Sequence, residues 1–346
     1  MDIPDSPVKI SCRHVWKMFG NRPKKRRRTL SRRVPRQETL TQNDQIVAVK
    51  DVSFDVRAGE NFVIMGLSGS GKSTLLRCLS RLIEPTRGQI FIDGEDVMQM
   101  TKRQLQHLRR HKMSMVFQSF GLFPHRRVIE NVAYGLEVRG IDKPERLEQA
   151  RQVLELVGLA GWEQNYPHEL SGGMQQRVGL ARALAVNPEI LMCDEPFSAL
   201  DPLIRREMQA ELLRLQRQLR KTLVFITHDF LEALKIGDRI AIMKDGEIVQ
   251  IGTPQEVVSH PVNDYVRNFT LDVPRAKVLT AETIMEPVNG VVLEGLIHVA
   301  PEMSLESLIP LTAASDALLA VVDRQGRMVG VVSRTAVLTA ITPKGA

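Results

Sequence analysis

A chain of 346 residues with 43% hydrophobic content can bury a full α/β core and a smaller second unit, and it is too apolar for a disordered chain. No run approaches the roughly 18 apolar residues that span a bilayer, and Met1-Asp-Ile-Pro-Asp5 lacks a charged-then-apolar secretion pattern, so a soluble, cytosolic chain is expected. The net charge of +7 is local, because nine Lys and Arg and no acid fall between Arg22 and Arg36, leaving the remainder slightly acidic.

In chain order, Ile10–Phe19 has strand character and Ile46–Val56 resumes it in apolar/polar alternation, predicting an edge sheet interrupted by a basic insertion over 20–45. Pro23-Lys-Lys-Arg-Arg-Arg28 has the composition of a nuclear localisation signal or a nucleic-acid patch. No aromatic residues interleave with the charges as a single-strand platform requires, so a solvated insertion drawn towards anionic headgroups is the favoured reading. Cys12, Cys78 and Cys193 are odd in number and scattered, which excludes a disulfide framework or paired zinc spacing and predicts reduced, structural thiols.

Phe62–Met65 reads as a buried strand feeding Gly66-Leu67-Ser68-Gly69-Ser70-Gly71-Lys72-Ser73-Thr74, the G-x-x-x-x-G-K-[ST] spacing of a P-loop. Its glycines let the backbone curl so that successive N–H groups face phosphate oxygens. Lys72 supplies a point charge, Ser73 a hydroxyl for Mg²⁺, and a helix beginning at Thr74 adds its positive end. Downstream come a strand and turn at Gly88–Gly94, a charged helix over Thr101–His111, and a short strand from Met113 to Gln118. A mainly helical subdomain is expected over about 119–186, ending in a helix from Met174 to Val186 capped by Ser171-Gly-Gly173. Strands at Ile190–Cys193, Thr222–Ile226, Arg239–Met243 and Glu247–Ile251 alternate with helices at Leu203–Leu219 and Phe230–Lys235, a doubly wound α/β pattern.

The strand Ile190–Cys193 runs into Asp194-Glu195, placing two acids at the carboxyl edge of the sheet, where ligands of such folds bind. Asp194 is placed to hold Mg²⁺, and Glu195 to act as the general base on the attacking water. Together with Leu170-Ser-Gly-Gly-Met-Gln-Gln-Arg177, these motifs resemble the ATP-binding subunits of ABC transporters over Ile10–Phe269. The resemblance implies a homodimer that sandwiches two ATP molecules, with Ser171, Gly172, Gly173 and Gln175 of one subunit closing on the P-loop of the other. It further implies that Gln118 reaches Mg²⁺ and the attacking water, that Ser198 and Asp201 belong to a loop crossing the dimer interface, and that His228 contacts the γ-phosphate. Phe19 fits the aromatic that stacks on adenine, with Trp16 as its competitor.

Because the chain carries no span, the resemblance implies separate integral membrane permease subunits and a periplasmic or lipid-anchored substrate-binding protein. It places this subunit at the cytoplasmic face of the inner membrane. Phe120-Gly-Leu-Phe-Pro-His125 and the helices after it resemble the groove for a permease helix. The wording of Ile64–Gly71, Arg81–Thr86 and Val116–Phe120 resembles the branch importing glycine betaine, proline betaine and choline, with choline the leaning. The expected division is an ATP-binding domain over 1–275 and, over 276–346, a small α+β tail. Its strand–turn–strand Ala320–Ser333 resembles half of a CBS pair, with Lys277–Pro287 as a remnant of the other half. That tail is either a ligand sensor or a structural dimer contact. The rival class, a non-transport ABC ATPase acting on nucleic acid through 22–36, normally holds two cassettes in one chain, and one P-loop is present here.

Overall fold

The computed structural model describes residues 6–20, 46–118, 121–287, 296–314 and 318–342. The basic run Arg22–Arg36, most of the 20–45 insertion, and Phe120 lie outside them. The chain forms two units, Met1–His228 with Met243–Ile248, and Asp229–Ile242 with Val249–Ala346.

In the first unit, β1 (Val8–Phe19) and β2 (Ile46–Arg57) pair antiparallel, and β3 (Asn61–Met65) leads to α1 (Lys72–Leu79). Then follow β4 (Arg87–Ile92), β5 (Glu95–Asp96), α2 (Lys102–His111) and β6 (Met113–Val116). Next, α3 (Val128–Val138), α4 (Lys143–Leu156) and α5 (Gly172–Ala185) occupy the stretch expected to be helical. The unit's remaining elements are β7 (Ile190–Asp194), α6 (Pro202–Leu219) and β8 (Thr222–Thr227). Burial explains the two sheets. Every residue of β7 and β8 is buried, as a parallel strand covered on both faces requires, and these strands line up parallel in the order β3-β8-β7-β6. Buried and accessible positions mix along β1 and β2, which join an antiparallel sheet in the order β2-β1-β4-β5. Phe54 of β2 stacks on Phe62 of β3 at 4.9 Å between ring centroids.

Several boundaries shift by one or two residues from the sequence expectation, and three of them bear on the site. Helix α1 starts at Lys72 instead of Thr74, because the Leu75 N–H already closes a helical turn on the Gly71 carbonyl at 2.9 Å. Likewise α5 starts at Gly172, since the Ser171 hydroxyl accepts from the Met174 N–H and serves as the cap. Strand β6 ends at Val116, which leaves Gln118 exposed two residues beyond the ladder.

The second unit holds α7 (Phe230–Ile236), the hairpin strands β9 (Arg239–Lys244) and β10 (Glu247–Gly252), whose tip belongs to the first unit, then α8 (Pro254–Ser259) and α9 (Asp264–Thr270). It continues with α10 (Arg275–Val278), α11 (Ala281–Ile284), β11 (Ile297–Val299), α12 (Leu305–Ala314), β12 (Leu319–Val322), β13 (Met328–Val332) and α13 (Arg334–Ile341). The last three strands form a sheet in the order β11-β12-β13. Lys277–Pro287 is integral to this module: Thr280 bridges Ser304, Glu286 bridges Val331, and Ala281 is fully buried. Compactness thus divides the chain near residue 229, ahead of the sequence boundary at 275, because α10 packs both on α8 and on α12. Among the described residues no helix is long and apolar enough to cross a membrane.

All three cysteines are buried, and none of them forms a disulfide. Burial pushes the Cys78 thiol up to about 11 and holds the Cys12 thiol well above its ordinary value. The unfolded chain releases these protons near pH 9.0, so the folded state keeps their full contribution below that pH and loses it as pH rises towards 11. The expected result is no thiol labelling of native protein at pH 8, labelling of all three cysteines on unfolding, and a melting temperature that falls above pH 9. Rapid native labelling at pH 8 would contradict the burial.

Candidate functional site: a phosphate cradle at the carboxyl edge of the parallel sheet

Register brings the chemistry together. Met65 at the end of β3 lies opposite Thr227 of β8, and Asp194 of β7 lies opposite Ile226, so the P-loop, Glu195 and His228 leave the sheet at one edge on three adjacent strands. The loop's curl depends on positive φ at Gly66, Gly69 and Gly71. A Cβ on Gly66 would overlap the Met243 carbonyl, and one on Gly71 the Ala48 carbonyl. Ala48 faces the loop because the β1–β2 register skips it: Lys17 pairs with Val49 and Met18 with Val47, a bulge that turns this one carbonyl aside. The Gly246 N–H donates to the Ser70 carbonyl at 3.1 Å, and the Lys50 N–H donates to the Gly246 carbonyl at 2.8 Å.

Lys72, 4% exposed, donates to the Gly66 carbonyl at 2.8 Å and the Leu67 carbonyl at 3.1 Å, and its Nζ lies 3.7 Å from Glu195 Oε1. Burial pushes this ammonium below its ordinary value, an effect that Glu195 and Asp194 oppose. The Ser73 hydroxyl donates to Asp194 Oδ1 at 2.6 Å, while Arg77, one turn further along α1, holds Asp194 Oδ2 at 3.2 Å. Glu195 sits at φ 46, a left-handed conformation unusual for this residue type and of the kind that clusters at functional sites. From there its Oε2 meets His228 Nδ1 at 2.8 Å. The donor set fits a magnesium nucleotide. Ser73 and Asp194 offer hard oxygens side by side, and the buried Ser70 hydroxyl, inside the loop, lacks any hydrogen-bond partner among the described residues.

The remaining candidates stand elsewhere. Hydrogen bonds of Ser171 and Gln175 go to Met174, Pro167 and Leu170, not to the P-loop of their own chain. Gly173 has a packing reason too, since a Cβ there would come within 2.5 Å of Ile204 Cγ2 on α6. Asp201 caps α6 through the Leu203 and Ile204 N–H groups, and the Ser198 hydroxyl donates to the Glu195 carbonyl at 3.0 Å. Phe19 is 40% exposed at the end of β1, whereas Trp16 is half-buried with its carbonyl bonded to the Thr86 N–H. Sequence reasoning missed Arg77, although a basic residue one helical turn after Ser73 was a usable signal. A separate apolar cleft of about 310 Å³ opens between α2, β6, α3 and α5, lined by Leu82, Met115, Phe117, Tyr134 and Val138, with Arg109 and Arg182 among its charged residues. Arg182 reaches the Gly121 carbonyl at 2.6 Å, and burial pushes its guanidinium down.

The glycine betaine transport ATP-binding protein OpuAA of Bacillus subtilis is 52% identical over 96% of this chain and 78% of its own length. The ABC transporter family matches residues 49–198. This chain is an ABC transporter ATP-binding protein. As such it is an ATPase. The trimethylamine N-oxide transport ATP-binding protein TmoW of Ruegeria pomeroyi is 51% identical over 96% of both chains. Among solved structures, the dimeric MJ0796, a bacterial ABC transporter cassette, superposes with a TM-score of 0.60 and 33% identity, covering 71% of this chain and 98% of that one. These relatives are transport proteins, and the nucleic-acid alternative finds no support among them.

Proposed function

We propose that this ABC ATPase powers uptake of a small methylated-amine osmolyte, of the glycine betaine, proline betaine or choline kind, as a homodimer beneath separate permease subunits. The observation that carries it is the convergence of Lys72, Ser73, Asp194, Glu195 and His228 at one sheet edge, in a chain half identical to OpuAA. A second cargo, trimethylamine N-oxide, is suggested by the 51% identity to TmoW of Ruegeria pomeroyi.

In the proposed cycle the loop N–H groups and Lys72 hold the phosphates, and Ser171–Gly173 of a second copy close over the γ-phosphate at the positive end of α5. Ser73 and Asp194 would hold Mg²⁺, which when bound would supply positive charge to neutralise the phosphates. Glu195 takes the proton of the attacking water, and His228 keeps the carboxylate aimed and contacts the γ-phosphate. Gln118, exposed beyond β6, reports nucleotide state, Ser198 and Asp201 lie at the dimer seam, and the apolar cleft beside α2 receives a permease segment at the inner face of the membrane. Cargo is recognised by the permease and an external binding protein. The tail after Pro274 is proposed as one CBS-like module. If its deletion changes only the response of transport to ionic strength it is a regulator; if it lowers dimer stability it is scaffold.

The test is co-purification with the permease followed by uptake of labelled glycine betaine, choline, proline and trimethylamine N-oxide into reconstituted vesicles. ATP-dependent accumulation of one methylated amine is expected. Accumulation of none of them would sink the cargo assignment.

A further inference from the structure

We infer that Lys17 is a positioning residue for the nucleotide base: its ammonium seats the Phe19 ring so that the opposite ring face is presented to adenine. This rests on the reading of Phe19 as the adenine platform. Lys17 and Phe19 are two apart on β1 and project to the same side of the strand. Lys17 Nζ lies 4.9 Å from the Phe19 ring centroid, within the range of cation–π attraction, and also donates to the Glu84 carbonyl at 2.8 Å. Glu84 follows α1, the helix that carries Lys72 and Ser73, so one ammonium ties the ring to the body that binds the phosphates.

The arrangement matters because Phe19 is a 40% exposed ring at the end of its strand. It closes the β1–β2 ladder opposite Ile46, which is 72% exposed, and is itself one of the accessible aromatics. A ring so placed would sample several rotamers, and ordering it on binding costs affinity. The anchored ammonium fixes it beforehand. It also draws π density towards the occupied face, leaving the other face better matched to an electron-rich purine. The placement suits the ligand: Ala48, two residues from Ile46, is the bulged residue whose carbonyl lies against Gly71.

The experiment measures binding of ATP and of inorganic tripolyphosphate, both with Mg²⁺, to the full chain and to K17M, K17R, F19A and K17M/F19A by titration calorimetry. K17M is expected to weaken ATP about three- to fivefold, the size of an exposed cation–π contact, and to leave tripolyphosphate unchanged. K17R should restore ATP affinity, and K17M should add nothing once Phe19 is gone. Equal losses for ATP and tripolyphosphate would make Lys17 a general brace of the loop and overturn the proposal. So would an unchanged K17M beside a weakened F19A. An F19A protein with undiminished ATP affinity would instead remove the adenine platform itself, and this inference with it.

Discussion

Replacing Glu195 by Gln is expected to lower ATP turnover by about 10²–10⁴-fold while leaving ATP binding intact. The substitution keeps the shape of the side chain, and an amide oxygen still accepts from His228, so the geometry at 2.8 Å survives. What is lost is the negative charge proposed to take a proton from water. It also removes the carboxylate 3.7 Å from Lys72, which frees that ammonium for phosphate. ATP-bound dimers should therefore accumulate, visible as a shift to twice the mass in size-exclusion chromatography with MgATP, alongside a phosphate-release assay near background. Hydrolysis at the wild-type rate would strip Glu195 of its role as base.

The second large effect is expected at Gly71. An alanine there meets two obstacles at once, a φ of +99 that side chains rarely adopt and overlap with the Ala48 carbonyl. Backbone strain of this kind costs about 1–3 kcal/mol, and the loop escapes by moving its N–H groups off the phosphates. We expect Gly71→Ala to weaken ATP by roughly 100-fold, equivalent to about 3 kcal/mol, with a measurable fall in melting temperature. Gly69→Ala is the control, since a Cβ there meets nothing within 4 Å and only its φ of +83 is at stake. Equal tolerance of both substitutions would show that the bulged strand does not shape the loop.

These two predictions also mark what was legible in the residues. The strand–loop–helix around Lys72 and the apolar run into Asp194-Glu195 carry their chemistry within a few consecutive positions, so pattern and spacing sufficed. The parallel character of β3, β8 and β7 follows from continuous burial, which continuous apolar runs announce, whereas their order in the sheet does not. Contacts between distant segments were not legible. Nothing near Ala48 indicates that β2 bulges there, and nothing near Arg77 indicates that Asp194, 117 positions away, is its partner. Gly173 and Asp201 show a different limit, because each has a local structural duty, close packing on Ile204 and capping of α6, beside any task at a dimer seam. For such residues, loss of activity on substitution does not separate the two duties, and a stability measurement must accompany it.

The hairpin tip has a practical bearing on how the catalytic half can be dissected. Gly246 closes a backbone relay from Lys50 to Ser70, so the nucleotide grip is completed by amides that the ribosome adds nearly 180 residues after the glycine-rich turn itself. Nascent chains shorter than about 248 residues therefore emerge with an unbraced grip, and excised fragments that stop at His228 should be unable to retain ATP through gel filtration even though every motif residue is present.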